Sequence, residues 1–158
     1  MQARNHRQQG FTLVEILIVV VILGILAAIV IPQFTNAGET AKANSLVTQL
    51  QTIRSQLELY RVQHSGNYPT LTTNWNQMTS TTDVAGTVVA TGAFGPYLQQ
   101  PPVNPFENSS SVSGTDAADG TAASGVGWVW ISGQLKAVLT VAKAAEVGLT
   151  NTNDIETY

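Results

Sequence analysis

Cysteine is absent from this chain of 158 residues, and histidine occurs only twice. The absence of cysteine excludes disulfides, thiolate metal sites and thiol nucleophiles. Charged residues make up 11% of the chain, against roughly 25% in ordinary soluble domains. The seven Lys and Arg residues form no basic stripe, so we expect no nucleic acid among the partners. The chain therefore has either an unusually neutral surface or a segment that lies outside water.

Motifs for catalysis are equally scarce. Glycine-rich phosphate loops, HExxH and GxSxG do not occur, and His64 is the only histidine apart from His6. A serine nucleophile would therefore have almost no choice of imidazole partner. The sequence predicts a protein that is not an enzyme and that requires no cofactor.

A long apolar run extends from Phe11 to Ile31. At about 1.5 Å rise per residue it spans about 31 Å, which is the thickness of a hydrocarbon core. The preceding residues contain Arg4 and Arg7 but no acid, which predicts a cytoplasmic N-terminus. A secretory signal peptide is the alternative, but its apolar region covers only about 7 to 15 residues. The sequence therefore predicts a membrane-spanning helix.

Two residues inside this run are unusual for a membrane span. Glu15 is a carboxylate whose insertion costs about 2.5 to 3.5 kcal/mol, so it either extends to the headgroups or faces a partner. Gly24 and Ala28 form a small-xxx-small pair, which either faces lipid or lets another helix approach closely.

The hexapeptide GFTLVE at residues 10–15 follows a short basic leader and precedes the apolar run and Pro32. This arrangement closely resembles the class III signal sequence of type IV pilins and type II secretion pseudopilins. The resemblance implies that a membrane peptidase cuts after Gly10 and that the new N-terminus, Phe11, is methylated. It also implies that Glu15 pairs with the freed amino group of Phe11 on a neighbouring subunit during assembly.

The same resemblance implies a filament subunit, most similar to a major pseudopilin, with a defined set of partners. These are further copies of the chain, minor pilin-like subunits, the prepilin peptidase, an inner-membrane platform with a cytoplasmic ATPase, and membrane lipid. The expected location is the bacterial inner membrane, crossed once, with the head in the periplasm. The absence of cysteine favours a secretion pseudopilus over a surface type IV pilus, and a non-polymerising membrane-anchored binding module is the other alternative.

Beyond the membrane span, the sequence predicts a pilin-like α+β fold, in which the long N-terminal helix packs on a small antiparallel sheet. We expect Pro32 to kink or loosen this helix. The helix should end near His64, because glycine and proline follow. His64 lies in the last turn, where we interpret it as a cap that the helix dipole favours as a cation. The predicted organisation is a leader at 1–10, a transmembrane helix at 11–31, its amphipathic continuation at 32–64, and a β-rich head at 65–158. The apolar stripe of the continuation comprises Leu46, Leu50, Ile53, Leu57 and Tyr60.

The clearest element of the head is a hairpin around Ser132-Gly133. A two-residue turn pairs Ile131 with Gln134, and it places alternating apolar residues on one face, where they can cover the helix stripe. We therefore interpret Trp128 and Trp130 as core residues and not as a sugar-stacking platform. Trp75 lies in a polar loop, as either a subunit contact or a loop anchor.

Two loops of the head are candidate functional segments. The loop that follows Tyr97 is similar to the one that carries an Asp-Pro-Trp-Gly motif in major pseudopilins, with Asn104 and Phe106 replacing the acid and the tryptophan, and Glu107 the glycine. Asp116 and Asp119 lie in a hydroxyl-rich loop that could supply oxygen ligands to calcium, although solvated loop acids are the simpler interpretation.

Overall fold

The computed structural model describes residues 10–114, 125–131, 133–149 and 155–157, and it divides the chain into two compact units, 1–38 and 39–158. One long helix, α1, begins in the first unit and ends in the second. The helices are α1 (Leu13–Gln63), α2 (Asn76–Thr79) and α3 (Val141–Glu146), and the strands are β1 (Val112–Ser113), β2 (Trp128–Ile131), β3 (Gln134–Leu139) and β4 (Ile155–Thr157).

The described part of the first unit is helical from Leu13 onward. Every Leu, Ile and Val from Leu13 to Ile31 is at least 41% exposed, so this apolar surface is open within the part of the chain that the structure describes. Within the described residues, α1 is the one helix long and apolar enough to cross a membrane. The chain remains helical through Pro32, and the kink expected there stays a prediction.

The C-terminus of α1 matches its prediction. The backbone N–H of Gly66 donates to the carbonyl of Arg61 at 2.8 Å, and both Ser65 and Gly66 have positive φ angles, of 57° and 87°. This is the left-handed termination that glycine favours, although Ser65 here enters the left-handed region first.

The sheet has four strands in the order β1-β2-β3-β4. The predicted hairpin is confirmed, since β2 and β3 are antiparallel with Ile131 opposite Gln134 and Trp128 opposite Ala137. The sheet is mixed, however, and not purely antiparallel as expected, because β1 joins β2 and β4 joins β3 in parallel. Gly133 in the hairpin turn has φ of 81°, a conformation that side chains disfavour.

The core of the second unit lies between α1 and the sheet. The predicted helix stripe is confirmed, because all five of its residues are at most 2% exposed. Trp128 is fully buried and donates through Nε1 to the carbonyl of Pro102 at 2.9 Å, whereas Trp130 is partly buried and packs edge-on against Tyr68. The residues of the sheet and of the flanking segments that meet the stripe are Leu71, Trp75, Met78, Trp128, Leu135, Ala137, Leu139, Ala144 and Ile155.

The two alternatives for Trp75 are resolved in favour of a loop anchor. Its side chain is 4% exposed, and its Nε1 donates to the carbonyl of Ser110 at 2.7 Å. The indole therefore joins the segment before α2 to the segment before β1, and it is not available as an exposed stacking surface.

Candidate assembly site at the N-terminus

The peptide bond between Gly10 and Phe11 lies outside the helix. Residues 10–12 are not helical, and Phe11 is 79% exposed. The described residues at this bond are thus exposed and non-helical, and cleavage after Gly10 stays a prediction.

Thr12 and Glu15 form a reciprocal cap on the first turn of α1. The backbone N–H of Glu15 donates to Thr12 Oγ1 at 3.2 Å, and the backbone N–H of Thr12 donates to Glu15 Oε2 at 3.3 Å. This is a capping box, which satisfies two of the N–H groups that the start of a helix leaves without partners. The T-x-x-E spacing is visible in the sequence and is enough to predict this cap, although the prediction for Glu15 concerned only its charge.

The capping box leaves Glu15 able to accept further hydrogen bonds, since an ionised carboxylate has about four acceptor positions. It also places a negative group at the N-terminus of the helix, where the helix dipole favours it. The same side chain can therefore cap its own helix and receive a cation from outside the chain.

The other two predicted assembly residues lie further along α1. Gly24 faces open space, because a Cβ atom added there would meet nothing within 4 Å. Pro32 lies inside the helix, and Thr35, three residues further on, donates through Oγ1 to the carbonyl of Ile31 at 3.2 Å. Thr12 and Glu15 are thus brought into contact, whereas Gly24 and Pro32 are about 13 Å and 26 Å from Glu15 along the helix axis.

The second unit carries a groove of about 590 Å³ between α1 and residues 98–103. None of its lining residues is charged. On the helix side, Thr48 donates to the carbonyl of Asn44 and Thr52 donates to the carbonyl of Thr48, both at 2.9 Å. The lining residues are Ser45, Thr48, Gln49, Thr52, Ile53, Leu98, Gln99, Gln100, Pro101, Pro102 and Val103.

His64 is a buried residue whose ring caps a carbonyl in the last turn of α1. It is 1% exposed, its ring stacks on Tyr60 at 3.7 Å, and Nδ1 lies 2.8 Å from the carbonyl of Tyr60 in the last turn of α1. Because a carbonyl only accepts, Nδ1 must donate there, which leaves Nε2 to accept from Thr82 Oγ1 at 2.9 Å in the neutral ring. Burial raises the pKa of the Tyr60 and Tyr97 phenols, so both stay protonated beside the imidazole.

Asn104 connects the loop after Tyr97 to the sheet. It is fully buried, and its Nδ2 donates to the carbonyls of Gly127 and Val138, both at 2.8 Å. The predicted calcium ligands Asp116 and Asp119 lie outside the described residues, so that site stays a prediction. The described residues contain no group of three or more His, Cys, Asp or Glu that could hold a metal ion.

A long apolar N-terminal helix whose continuation packs on a small mixed sheet defines the chain as a pilin-like protein. Comparison with known families makes this specific. The chain belongs to the family of the type II secretion system (T2SS), protein G, which matches residues 33–121. Residues 5–31 match the prokaryotic N-terminal methylation motif. The predicted resemblance to the secretion pseudopilins is therefore confirmed.

Individual relatives share the same name, type II secretion system core protein G. The protein of Dickeya chrysanthemi is 44% identical over 66 residues, which cover 42% of each chain. That of Klebsiella pneumoniae is 42% identical over 65 residues, covering 41% of this chain and 46% of the relative. That of Escherichia coli K12 is 28% identical over 104 residues, covering 66% and 70%. The chain thus spans less than half the length of the first two relatives, and no solved structure matches it.

Proposed function

We propose that this chain is a structural subunit of the pseudopilus of a type II secretion system, a filament built from copies of the chain, and that it catalyses no reaction. The observation that carries the proposal is the apolar surface of α1 from Leu13 to Ile31, whose Leu, Ile and Val side chains are all exposed in the described part of the chain. Apolar surface of this extent needs lipid or other helices around it. Membership of the protein G family favours a secretion pseudopilus over a surface pilus.

In this proposal the unassembled subunit lies in the inner membrane with its N-terminus in the cytoplasm and its head in the periplasm. The prepilin peptidase cuts the exposed bond after Gly10 and methylates Phe11. An assembly platform with a cytoplasmic ATPase then moves the subunit from lipid into the filament, where minor pilin-like subunits also belong. Neighbouring helices take over the contacts that lipid tails made before.

Glu15 has a different partner at each stage. In the single chain its carboxylate accepts from the N–H of Thr12. In the filament it also receives the ammonium group of Phe11 from a neighbouring subunit. Two opposite charges that are each unfavourable alone in an apolar environment become tolerable when they meet with good geometry. This pairing fixes the register of one helix against the next, while Gly24 allows their close approach.

The proposal is tested by separating the charge of Glu15 from its role as a cap. Glu15→Gln keeps an acceptor oxygen for the Thr12 N–H but removes the charge, because glutamine also serves at this position of a capping box. Thr12→Val removes the hydroxyl acceptor but keeps the charge. We expect Glu15→Gln to insert normally and to reduce pseudopilus yield at least about tenfold. The loss of about 1.4 kcal/mol of binding free energy per subunit contact already lowers the association constant tenfold. Thr12→Val should assemble better than Glu15→Gln.

The intact mass of each protein from native membranes gives the second reading of the same experiment. All three proteins should begin at methylated Phe11, because the exposed Gly10–Phe11 bond is unchanged. A wild-type chain that keeps its first ten residues, or normal filaments from Glu15→Gln, would contradict the proposal. A non-polymerising anchored binding module would then be the better interpretation.

A further inference from the structure

Asn104 uses every hydrogen-bonding group of its side chain while it is fully buried. Both protons on Nδ2 are donated, one to the carbonyl of Gly127 and one to the carbonyl of Val138. Its Oδ1 accepts the backbone N–H of Phe106 at 2.9 Å. The residue thus ties one loop to the residue before β2 and to β3.

Two main-chain carbonyl oxygens that converge on one point require a positive or hydrogen-donating group between them. An amide meets this need with its two protons. An aspartate of the same shape could not, because an ionised carboxylate only accepts and would face both oxygens. A cation could reconcile a carboxylate with the two carbonyls, since these are the oxygen ligands that calcium takes.

The loop held by Asn104 forms one wall of the 590 Å³ groove, which we call the 98–103 wall. At its start, the N–H groups of Tyr97 and Leu98 both donate to the carbonyl of Met78 at 2.9 Å. In its middle, Pro102 accepts the indole N–H of Trp128. Asn104 is the attachment at its end, so the shape of the groove depends on this amide.

We propose that Asn104 is the positioning residue of the 98–103 wall and that its amide stands where an acidic residue would require a bound cation. The wall is therefore held at any divalent-cation concentration. The positioning role itself does not depend on assembly.

The test compares the full-length chain in detergent with Asn104→Asp and with a matched control, Asn108→Asp. Asn108 is exposed on the same loop, so the control makes the same chemical change without touching the carbonyl pair. Melting temperatures are followed by tryptophan fluorescence, with chelator or with calcium at about 5 mM. We expect Asn104→Asp to lose at least about 5 °C in chelator and Asn108→Asp to stay within about 2 °C of wild type.

Calcium should then raise the melting temperature of Asn104→Asp by several degrees more than it raises that of wild type or of Asn108→Asp. The comparison with these two proteins corrects for any calcium that binds elsewhere on the chain. An Asn104→Asp chain as stable as wild type in chelator would overturn the positioning role. If Asn104→Asp loses stability and calcium does not restore it, the inference that the amide takes the place of a cation is overturned.

A measurement on the wild-type chain keeps the proposal testable should Asn104→Asp fail to fold. With ¹⁵N labelling, the side-chain amide protons of Asn104 should exchange with solvent at least about 100-fold more slowly than those of exposed Asn108, because both are hydrogen-bonded and buried. Equal exchange rates would contradict the geometry. None of these readings requires a filament, so their failure is distinguishable from failure of the proposed function.

Discussion

At the scale of single residues, His64 illustrates how a polar side chain becomes part of the core. Both ring nitrogens have partners, and the ring lies flat on Tyr60. A buried polar group is tolerated when its hydrogen bonds are made, and it becomes destabilising when one partner is removed.

Replacement of His64 should therefore destabilise the head. His64→Leu leaves the hydroxyl of Thr82 without its imidazole partner, at a cost of about 2 kcal/mol. For a chain of this size the melting temperature should fall by about 4 to 8 °C, measured by tryptophan fluorescence. Val62→Ala is the control, since Val62 is 79% exposed on the same part of α1 and should change little. A His64→Leu chain as stable as wild type would refute the structural role.

The sequence predicts some residues of the site and not others. Gly10, Phe11 and Glu15 follow from a local motif, and the cap between Thr12 and Glu15 could have been found from its spacing of three residues. The role of Asn104 could not, because its two acceptor carbonyls lie 23 and 34 residues further along the chain. A contact of that separation exists only once the sheet has formed.

At the scale of elements, an ion-pair network joins α3 to α1. Glu39 lies 3.1 Å from Lys42 and 3.4 Å from Lys143, and Lys143 lies 2.8 Å from Glu146. The hydrogen bond from Lys42 lowers the pKa of Glu39, with further lowering by Lys143. The hydrogen bond to Glu146 raises the pKa of Lys143.

The pH dependence of this network at acidic pH follows from the lowered pKa of Glu39. Because the pKa of Glu39 is lower in the folded than in the unfolded chain, its stabilisation is present above about pH 4.3 and is lost as the pH falls through the folded value. Glu39→Gln should lower the melting temperature at pH 7 by only about 1 to 3 °C, and the difference from wild type should shrink as the pH falls below about 4.3 or as salt is raised to about 1 M. The double variant with Lys143→Gln should be less than additive. A difference that changes with neither pH nor salt would exclude the ion pair as its cause.

The elements differ in how far the sequence predicts them. The hairpin could be predicted to its register, because alternating apolar residues and a turn with glycine act locally. The outer strands could not, because β1 has two residues and β4 three, too few for an alternating pattern. Their parallel pairing with β2 and β3 made the sheet mixed, and it depends on contacts distant in sequence.

At the scale of the whole molecule, a substitution on the exposed span of α1 should impair assembly while leaving membrane insertion unchanged. Gly24→Leu adds an apolar side chain where the chain itself has open space, so the amount of protein in the membrane should be unchanged. A neighbouring helix packed against Gly24 would be displaced, and we expect the yield of sheared pseudopili to fall at least about tenfold. Val20→Leu is the control, since it exchanges one exposed apolar side chain for another. Normal filaments from Gly24→Leu would show that no helix packs at this position.

The threonines on the helix side of the groove have a consequence for any dry interface there. Because the hydroxyls of Thr48 and Thr52 donate to carbonyls of their own helix, and Ser55 donates likewise to Gln51, this face of α1 can lose its water without leaving those donors unpaired. The hydrogen bonds that these hydroxyl protons would otherwise make to water are thus already made within the helix before any partner binds. The hydroxyls on this face can in this way be buried at a lower cost than hydroxyls that bond to water alone.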